Sequence, residues 1–411
     1  MAILKSRAIG RQILREMRTS YWFWPSILVL GALGLAALVE WVDAQPGFAA
    51  GLLPAWLTAI DPDGARDTLS TLATAVIGVA GVMFSMTLVA VSFAADTFGP
   101  RLIGNFMRDR GTQISFGLLL GTFVFNIAML RAVRGGDAAF VPYAGLTVTL
   151  FLTLVSVFTI IYYIHHVPET INVSNISSDL GHQFSANIKS LIAERSKVEV
   201  EDIKPAPQAR QVDVTLPARG YIQQLDQDTL YTCACENDWI IQVHRSAGDF
   251  VTPHTDVLSV FTVSPLDDKQ IATLQSAFAT GNDRTEVQST AFIADQLVEM
   301  IARALSPGFN DPFTAMNCLN WLHAGLQDAL LHDGGLQPLT TQRVRYPHVD
   351  FAALFAASFT AALPYTMTDR MCRAHHLALT QELLARATGK NREVIAELIP
   401  ALRAGPKDRI L

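Results

Sequence analysis

The side chains of this sequence best placed to do chemistry fall into three groups. Within the apolar stretch Leu69 to Ala95 and just beyond it, Thr71, Thr74, Gly78, Gly81, Ser85, Ser92 and Asp96 recur at intervals of three, four and seven. That spacing puts them on one face of a helix. A seam of this kind packs helices in lipid, because small residues let backbones approach closely. It also suits the lining of a pore, a wetted path of hydroxyls ending at the Asp96 carboxylate. The second group follows directly: Gly99-Pro100-Arg101-Leu102 and then Arg108-Asp109-Arg110. Its arginines anchor topology at a membrane surface. As a ring at a cytoplasmic pore mouth, Arg101, Arg108 and Arg110 would favour anions, an effect that Asp96 and Asp109 oppose.

The third group is the dense run Arg303 to Ala315, RALSPGFNDPFTA. Pro307 and Gly308 stop one helix, Asp311 is placed to cap the next with Pro312 at its first position, and Thr314 can meet the same free amides. The functional alternative is a ligand pocket at a helix N-terminus, with Ser306, Asn310, Asp311 and Thr314 lining it and Arg303 nearby. The histidine pairs His165-His166 and His375-His376 are poor metal ligands, since adjacent helical residues point about 100° apart. Cys233 and Cys235 would share one strand face without a visible third and fourth ligand. Neither a Gly-rich phosphate loop nor a nucleophile motif stands out, so no catalytic residue, metal or cofactor is expected.

These groups sit on two different kinds of chain. Of 411 residues, half are apolar and 17% are charged, yet charge is scarce before Ile164 and ordinary after Pro168. Four runs, Tyr21 to Val42, Leu69 to Ala95, Gln113 to Leu130 and Val141 to Ile164, are long enough to cross about 30 Å of hydrocarbon as helices. Tyr21, Trp22, Trp24, Trp41, Tyr162 and Tyr163 mark their interfaces. The run after Lys5, Arg7, Arg11, Arg15 and Arg18 is too long for a signal sequence and reads as a retained first span. The basic N-terminus and the Arg-bearing second connection place both termini in the cytoplasm, Arg131 and Arg134 opposing this. No ionisable residue lies at the centre of a span, which disfavours a proton-driven transporter or a voltage sensor.

The expected fold class is an α-helical membrane domain of four transmembrane helices followed by a cytoplasmic α+β region. Its parts are a basic N-terminus (1–20), the spans (21–164), a stalk helix and linker (165–205), a β-rich module (206–264) and a helical subdomain (265–411). Residues Gly220 to Phe261 read as short antiparallel strands in a small barrel or sandwich. Helices are expected from Phe292 to Pro307, Pro312 to Leu331, Phe351 to Leu363 and Asp369 to Ala387. The fourth span is expected to run on through His165 and His166 as a rigid rod able to couple the two halves. A net charge of −6 without a basic stripe argues against nucleic-acid binding. The four cysteines, Cys233, Cys235, Cys318 and Cys372, fit a reducing cytoplasm.

The Gly99 to Leu102 stretch with Arg108 to Arg110, Gly220-Tyr221-Ile222-Gln223 with Gly248-Asp249-Phe250-Val251, and above all Ala304 to Ala315 carry a likeness to a known group. The chain resembles a bacterial family of predicted integral membrane proteins, domain of unknown function 2254. The resemblance covers nearly the whole chain and implies the membrane-plus-soluble architecture, with no established reaction. Gly248 to Leu258 also looks like half of a biotinyl or lipoyl carrier, but His254 stands where Gly is usual and no modifiable Lys occupies a hairpin tip.

The function expected is an oligomeric channel-like protein of a bacterial inner membrane, giving passive passage to ions or small solutes under control of a cytoplasmic domain. Its partners would be the bilayer, further copies of itself and a small cytoplasmic ligand. The alternative is a membrane-anchored sensor or scaffold without transport. A membrane-associated enzyme is less favoured, lacking a base, nucleophile and metal set.

Overall fold

The computed structural model describes residues 20–45, 59–99, 106, 109–136, 139–195, 205–284, 289–332, 336, 340–341, 343–347 and 349–405. Lys5, Arg7, Arg11, Arg15, Arg18, Arg101 and Arg108 lie outside them. The described residues divide into a membrane unit, 20–96 with 106–172, and a C-terminal unit, 173–405 with 97–99.

Among the described residues four helices are long and apolar enough to cross a membrane: α1 (Phe23–Asp43), α2 (Pro62–Phe98), α3 (Arg110–Ala132) and α4 (Tyr143–Ile171). Each covers one of the expected spans. Helix α2 starts earlier than its apolar run because the Asp61 carboxylate accepts the Gly64 amide at 3.0 Å and Pro62 occupies the first turn. At the head of α3, Asp109 caps the Thr112 amide at 2.7 Å. Helices α1 and α3 make the closest backbone packing, through two glycines that the sequence reading passed over. A Cβ on Gly117 would stand 2.7 Å from the Pro25 Cα, and one on Gly121 3.3 Å from the Leu28 carbonyl. This is the small-xxx-small device of helices in lipid. Apolar side chains such as Leu30, Phe151, Phe158 and Ile161 point outward, as suits an apolar solvent.

The expected rigid run-on of the fourth span is corrected. Helix α4 passes His165 and His166 but ends at Ile171, where Asn172 turns extended with ψ 121°. Pro168 inside α4 has already removed one backbone hydrogen bond. A separate helix, α5 (Val173–Arg195), then begins the C-terminal unit.

The strands of that unit are β1 (Arg210–Thr215), β2 (Gly220–Leu225), β3 (Ile240–Val243), β4 (Phe250–Val251), β5 (Asp256–Thr262), β6 (Phe278–Gly281), β7 (Thr340–Thr341) and β8 (Val344–Arg345). They form two sheets, ordered β1-β5-β3-β8-β7 and β4-β2-β6, antiparallel except for the β3–β8 pair. The expectation of strands throughout Gly220 to Phe261 is corrected, because α6 (Gln227–Glu236) interrupts them. Asp226 caps it, accepting the Thr229 hydroxyl at 3.0 Å, while Leu230 and Ala234, four residues apart, enter the core with Ile222, Ile241 and Val260. Cys233 and Cys235 therefore lie on a helix rather than sharing a strand face.

The remaining helices are α7 (Asp268–Ser276), α8 (Thr290–Ala304), α9 (Pro312–Ala329), α10 (Phe351–Phe355), α11 (Ala361–Thr366), α12 (Arg370–Arg386) and α13 (Gly389–Ala404), with a π-helical turn at Ala356–Thr360 joining α10 to α11. Asp267, Asp311, Asp350 and Asp369 cap α7, α9, α10 and α12. Helix α5 packs along α9, where a Cβ on Gly181 would come within 2.5 Å of Trp321 and one on Gly325 within 2.2 Å of Phe184.

Candidate functional site

Helix α2 carries the seam on the face turned away from its neighbours. Thr71, Thr74, Gly78, Gly81, Ser85, Ser92 and Asp96 are all exposed, whereas Leu69, Ala73, Val76, Ala80, Met83 and Thr87 form the buried stripe. Nothing stands within 4 Å of a Cβ placed on Gly78 or Gly81. With Val82, Ser85, Met86 and Phe93 these glycines line an open groove of ≈ 740 Å³. Thr74 donates to the Ser70 carbonyl at 2.8 Å and Ser85 to the Gly81 carbonyl at 3.0 Å. Both hydroxyls are thus satisfied by their own helix, which an apolar solvent demands. One copy of the chain brings the seam onto a common face and leaves that face open.

A second polar set, which the sequence reading did not single out, lies inside the unit. The buried face of α4 consists of Gly145, Leu146, Thr149, Ser156 and Tyr163. Three of these five are polar, at intervals of seven. Tyr163 donates to the Met83 carbonyl at 2.8 Å and meets the Thr87 hydroxyl at 2.5 Å. Ser156 lies 3.3 Å from the Thr122 hydroxyl of α3 and donates to Leu152 at 2.8 Å. The seven-residue repeat in span four was the available signal. It is inconspicuous because Thr149 and Ser156 each stand between apolar neighbours and Tyr163, beside Tyr162, reads as an interface marker.

Both ends of α4 are tied by carboxylates. Asp43, at the end of α1, accepts the Ala144 and Gly145 amides at 2.9 Å each, capping α4 from another helix. At the other end the Asp109 carboxylate receives His166 Nε2 at 2.8 Å, and Tyr162 stacks on the imidazole at 4.9 Å. Partial burial works to raise the Asp109 carboxyl, but hydrogen bonds from the Thr112 side chain and amide and from His166 outweigh it, holding the group below the usual carboxylate range. Of the mouth arginines, Arg110 is exposed in the first turn of α3, while Arg101 and Arg108 lie outside the described residues.

In the Arg303 to Thr314 motif the capping role is present. The Asp311 carboxylate accepts the Thr314 amide at 3.1 Å and its hydroxyl at 2.6 Å. Asn310 takes a left-handed φ of 47°, a conformation Asn tolerates, and the Asp311 amide closes on the Ala304 carbonyl at 2.7 Å. Pro307, Gly308, Phe309, Asn310 and Asp311 are exposed, Ser306 and Arg303 partly so.

Behind this turn, Cys372 contacts the Pro312 carbonyl at 3.3 Å, and burial pushes the thiols of Cys318 and Cys372 up to about 12, Asp311 adding to it for Cys318 and Asp369 for Cys372. Such thiols are inert at neutral pH. His376 is fully enclosed, its Nδ1 2.9 Å from the Thr366 hydroxyl and its ring edge-on to Phe359. Burial first, and the neighbouring His375 second, push its pKa down to about 3.

A family model described as predicted membrane protein (DUF2254) matches residues 18–382. The chain is 27% identical over 323 residues to an uncharacterized protein of Mycobacterium bovis and to an uncharacterized protein of Mycobacterium tuberculosis. Each match covers 76% of this chain and 61% of the relative, so the chain spans about three-fifths of the length of the curated relatives it matches. No solved structure matches the chain.

Proposed function

The chain belongs to the DUF2254 family of predicted membrane proteins, and we propose its function from the α2 seam: an oligomeric channel-like protein for passive passage of ions or small solutes. The observation that carries this reading is the exposure of all seven seam residues on one helix face. Closed symmetry would bring that face of several copies to a common axis, with small residues at the contact and Asp96 toward one end. The C-terminal unit would act as the control element, on the cytoplasmic side of a bacterial inner membrane.

Purified full-length protein in liposomes provides the test, read as ion flux across varied voltage and osmotic tension. Flux through the native chain is expected to fall at least about tenfold in Gly81→Leu and Ser85→Leu, while Gly78→Cys cross-links copies in the membrane. An ion-tight native protein overturns the channel reading.

One observation favours the second reading, a membrane-anchored scaffold. Thr74 and Ser85 turn their hydroxyls onto their own backbone and present little polarity to a path. On that reading Gly81→Leu weakens assembly and no flux is measured in either protein.

A further inference from the structure

Asn126 of α3 and Thr149 of α4 are each 0% exposed, and among the described residues neither the Asn126 amide oxygen and nitrogen nor the Thr149 hydroxyl has a hydrogen-bond partner. An amide enclosed within a transmembrane helix bundle has no bulk water to turn to, so its groups must be met internally. The two residues lie at one level. Asn126 is six residues from the end of α3 and Thr149 six from the start of α4, about 9 Å in each case. The connection between those helix ends is closed by paired backbone bonds of Arg134 and Phe140, 3.0 Å each. Contacts on either side bracket this level. Gly145 sits against Met129 toward the helix ends, and Ser156 meets Thr122 one turn deeper on α3.

The type of ligand follows from the mixture of groups. Asn126 presents two N–H donors and a carbonyl acceptor, and Thr149 a hydroxyl that does both. A bare cation would meet the oxygens and leave the N–H groups; an anion would do the reverse. Water donates and accepts. Met129 and Leu146, both fully enclosed, close the region toward the helix ends, and the enclosed Phe125 adjoins Asn126 on its other side. We propose that the α3–α4 interface holds an occluded water site bridging Asn126 and Thr149, a hydrated step inside the membrane unit about 9 Å from the helix ends. It belongs to a single copy and does not depend on the α2 seam or on assembly.

The test uses full-length protein in bilayers with isotope-labelled asparagine, read by solid-state NMR transfer from water protons. The Asn126 side-chain amide, assigned by its loss in Asn126→Leu or its shift in Asn126→Gln, is expected to receive magnetisation from water. Absence of that transfer overturns the proposal. A change in the Asn126 resonance on replacing sodium by potassium or choline overturns it too, in favour of an ion site. A thermal double-mutant cycle gives a second readout. Asn126→Leu alone is expected to lower Tm by stranding the water and Thr149, and Thr149→Val added to it to recover most of the loss. Additive losses count against the site. Since neither arm measures flux, an inert protein would sink the channel reading and leave this inference standing or falling on its own.

Discussion

The membrane unit turns many large apolar side chains outward, Leu30, Phe93, Phe151 and Phe158 among them, and the C-terminal unit few, although both enclose aromatic rings (Phe125 in the one, Phe184, Phe351, Phe355 and Phe359 in the other) and both enclose polar side chains (Asn126 and Thr149 in the one, Ser358 and His376 in the other). The contrast reflects the solvent each unit answers to. Where removal of apolar area from water is the driving force, large apolar side chains gather inward, as they mostly do in the C-terminal unit. Between helices in lipid that force is absent, and close approach at Gly117 and Gly121 together with internal hydrogen bonds must hold α1, α3 and α4. Helix capping is common to both, yet it too differs. In the C-terminal unit Asp226, Asp267, Asp311, Asp350 and Asp369 each cap their own helix, as Asp61 and Asp109 do in the membrane unit, but there Asp43 also reaches from α1 to cap α4.

The sharpest way to break this comparison is to truncate a phenylalanine on each side. Phe359→Ala is expected to cost about 3–5 kcal/mol, read from unfolding of the C-terminal unit in the full chain. Phe158→Ala, on a face 62% exposed, should change stability by less than about 0.5 kcal/mol. Equal losses would show that both units rest on the same force.

Gly117→Leu probes the membrane unit by the opposite operation, adding volume where Pro25 is 2.7 Å away. Forcing α1 from α3 is expected to cost about 1–3 kcal/mol, measured by unfolding in mixed micelles. Gly31→Leu on α1, where nothing lies within 4 Å, is the control that should be silent.

Acid separates the units through His376. Its folded pKa of about 3 lies below the ordinary 6.5, so the unfolded chain takes up the proton first as pH falls. Stability from the neutral buried ring is therefore complete above about pH 6.5 and declines as pH drops toward 3, by about 2 kcal/mol at pH 5. Thermal melts of the C-terminal unit at pH 7 and pH 5 should show the loss, and His376→Phe should flatten it. A native chain equally stable at both values would contradict the assignment.

The smallest effect expected is at the shared cap. Asp43→Ala removes the acceptor of two α4 amides and should destabilise the membrane unit by about 1 kcal/mol. Asp43→Asn, which keeps an acceptor, should restore most of it, and hydrogen exchange at Ala144 and Gly145 reports the change directly.

The spans were legible because about 20 uncharged apolar residues in a row have few other uses, and Asp311 with Pro312 was legible because a cap is a local chemical event. The strand reading of Leu230 and Tyr231 failed for a related reason. Ten residues between turn signals fit two strands as well as one short helix, and the core that Leu230 and Ala234 share with Ile222 and Val260 decides between them. The seam was read correctly as one face of α2, yet periodicity does not say which face of a helix its own chain will cover.

The sequence by itself therefore determined the four spans, the helical C-terminal elements around Pro312 and Asp369, and the seam as a stripe, since each follows from spacing along one helix or from a cap a few residues away. Tertiary structure alone decided that the seam faces outward, that α4 breaks from α5 at Asn172, and that Asn126, Thr149 and Ser156 are buried inside the membrane unit. These depend on which surfaces of separate helices face one another. That pairing is set by close packing at Gly117 and Gly121 and by hydrogen bonds between residues dozens of positions apart, such as Thr87 with Tyr163, for which the local pattern of a sequence carries no signature.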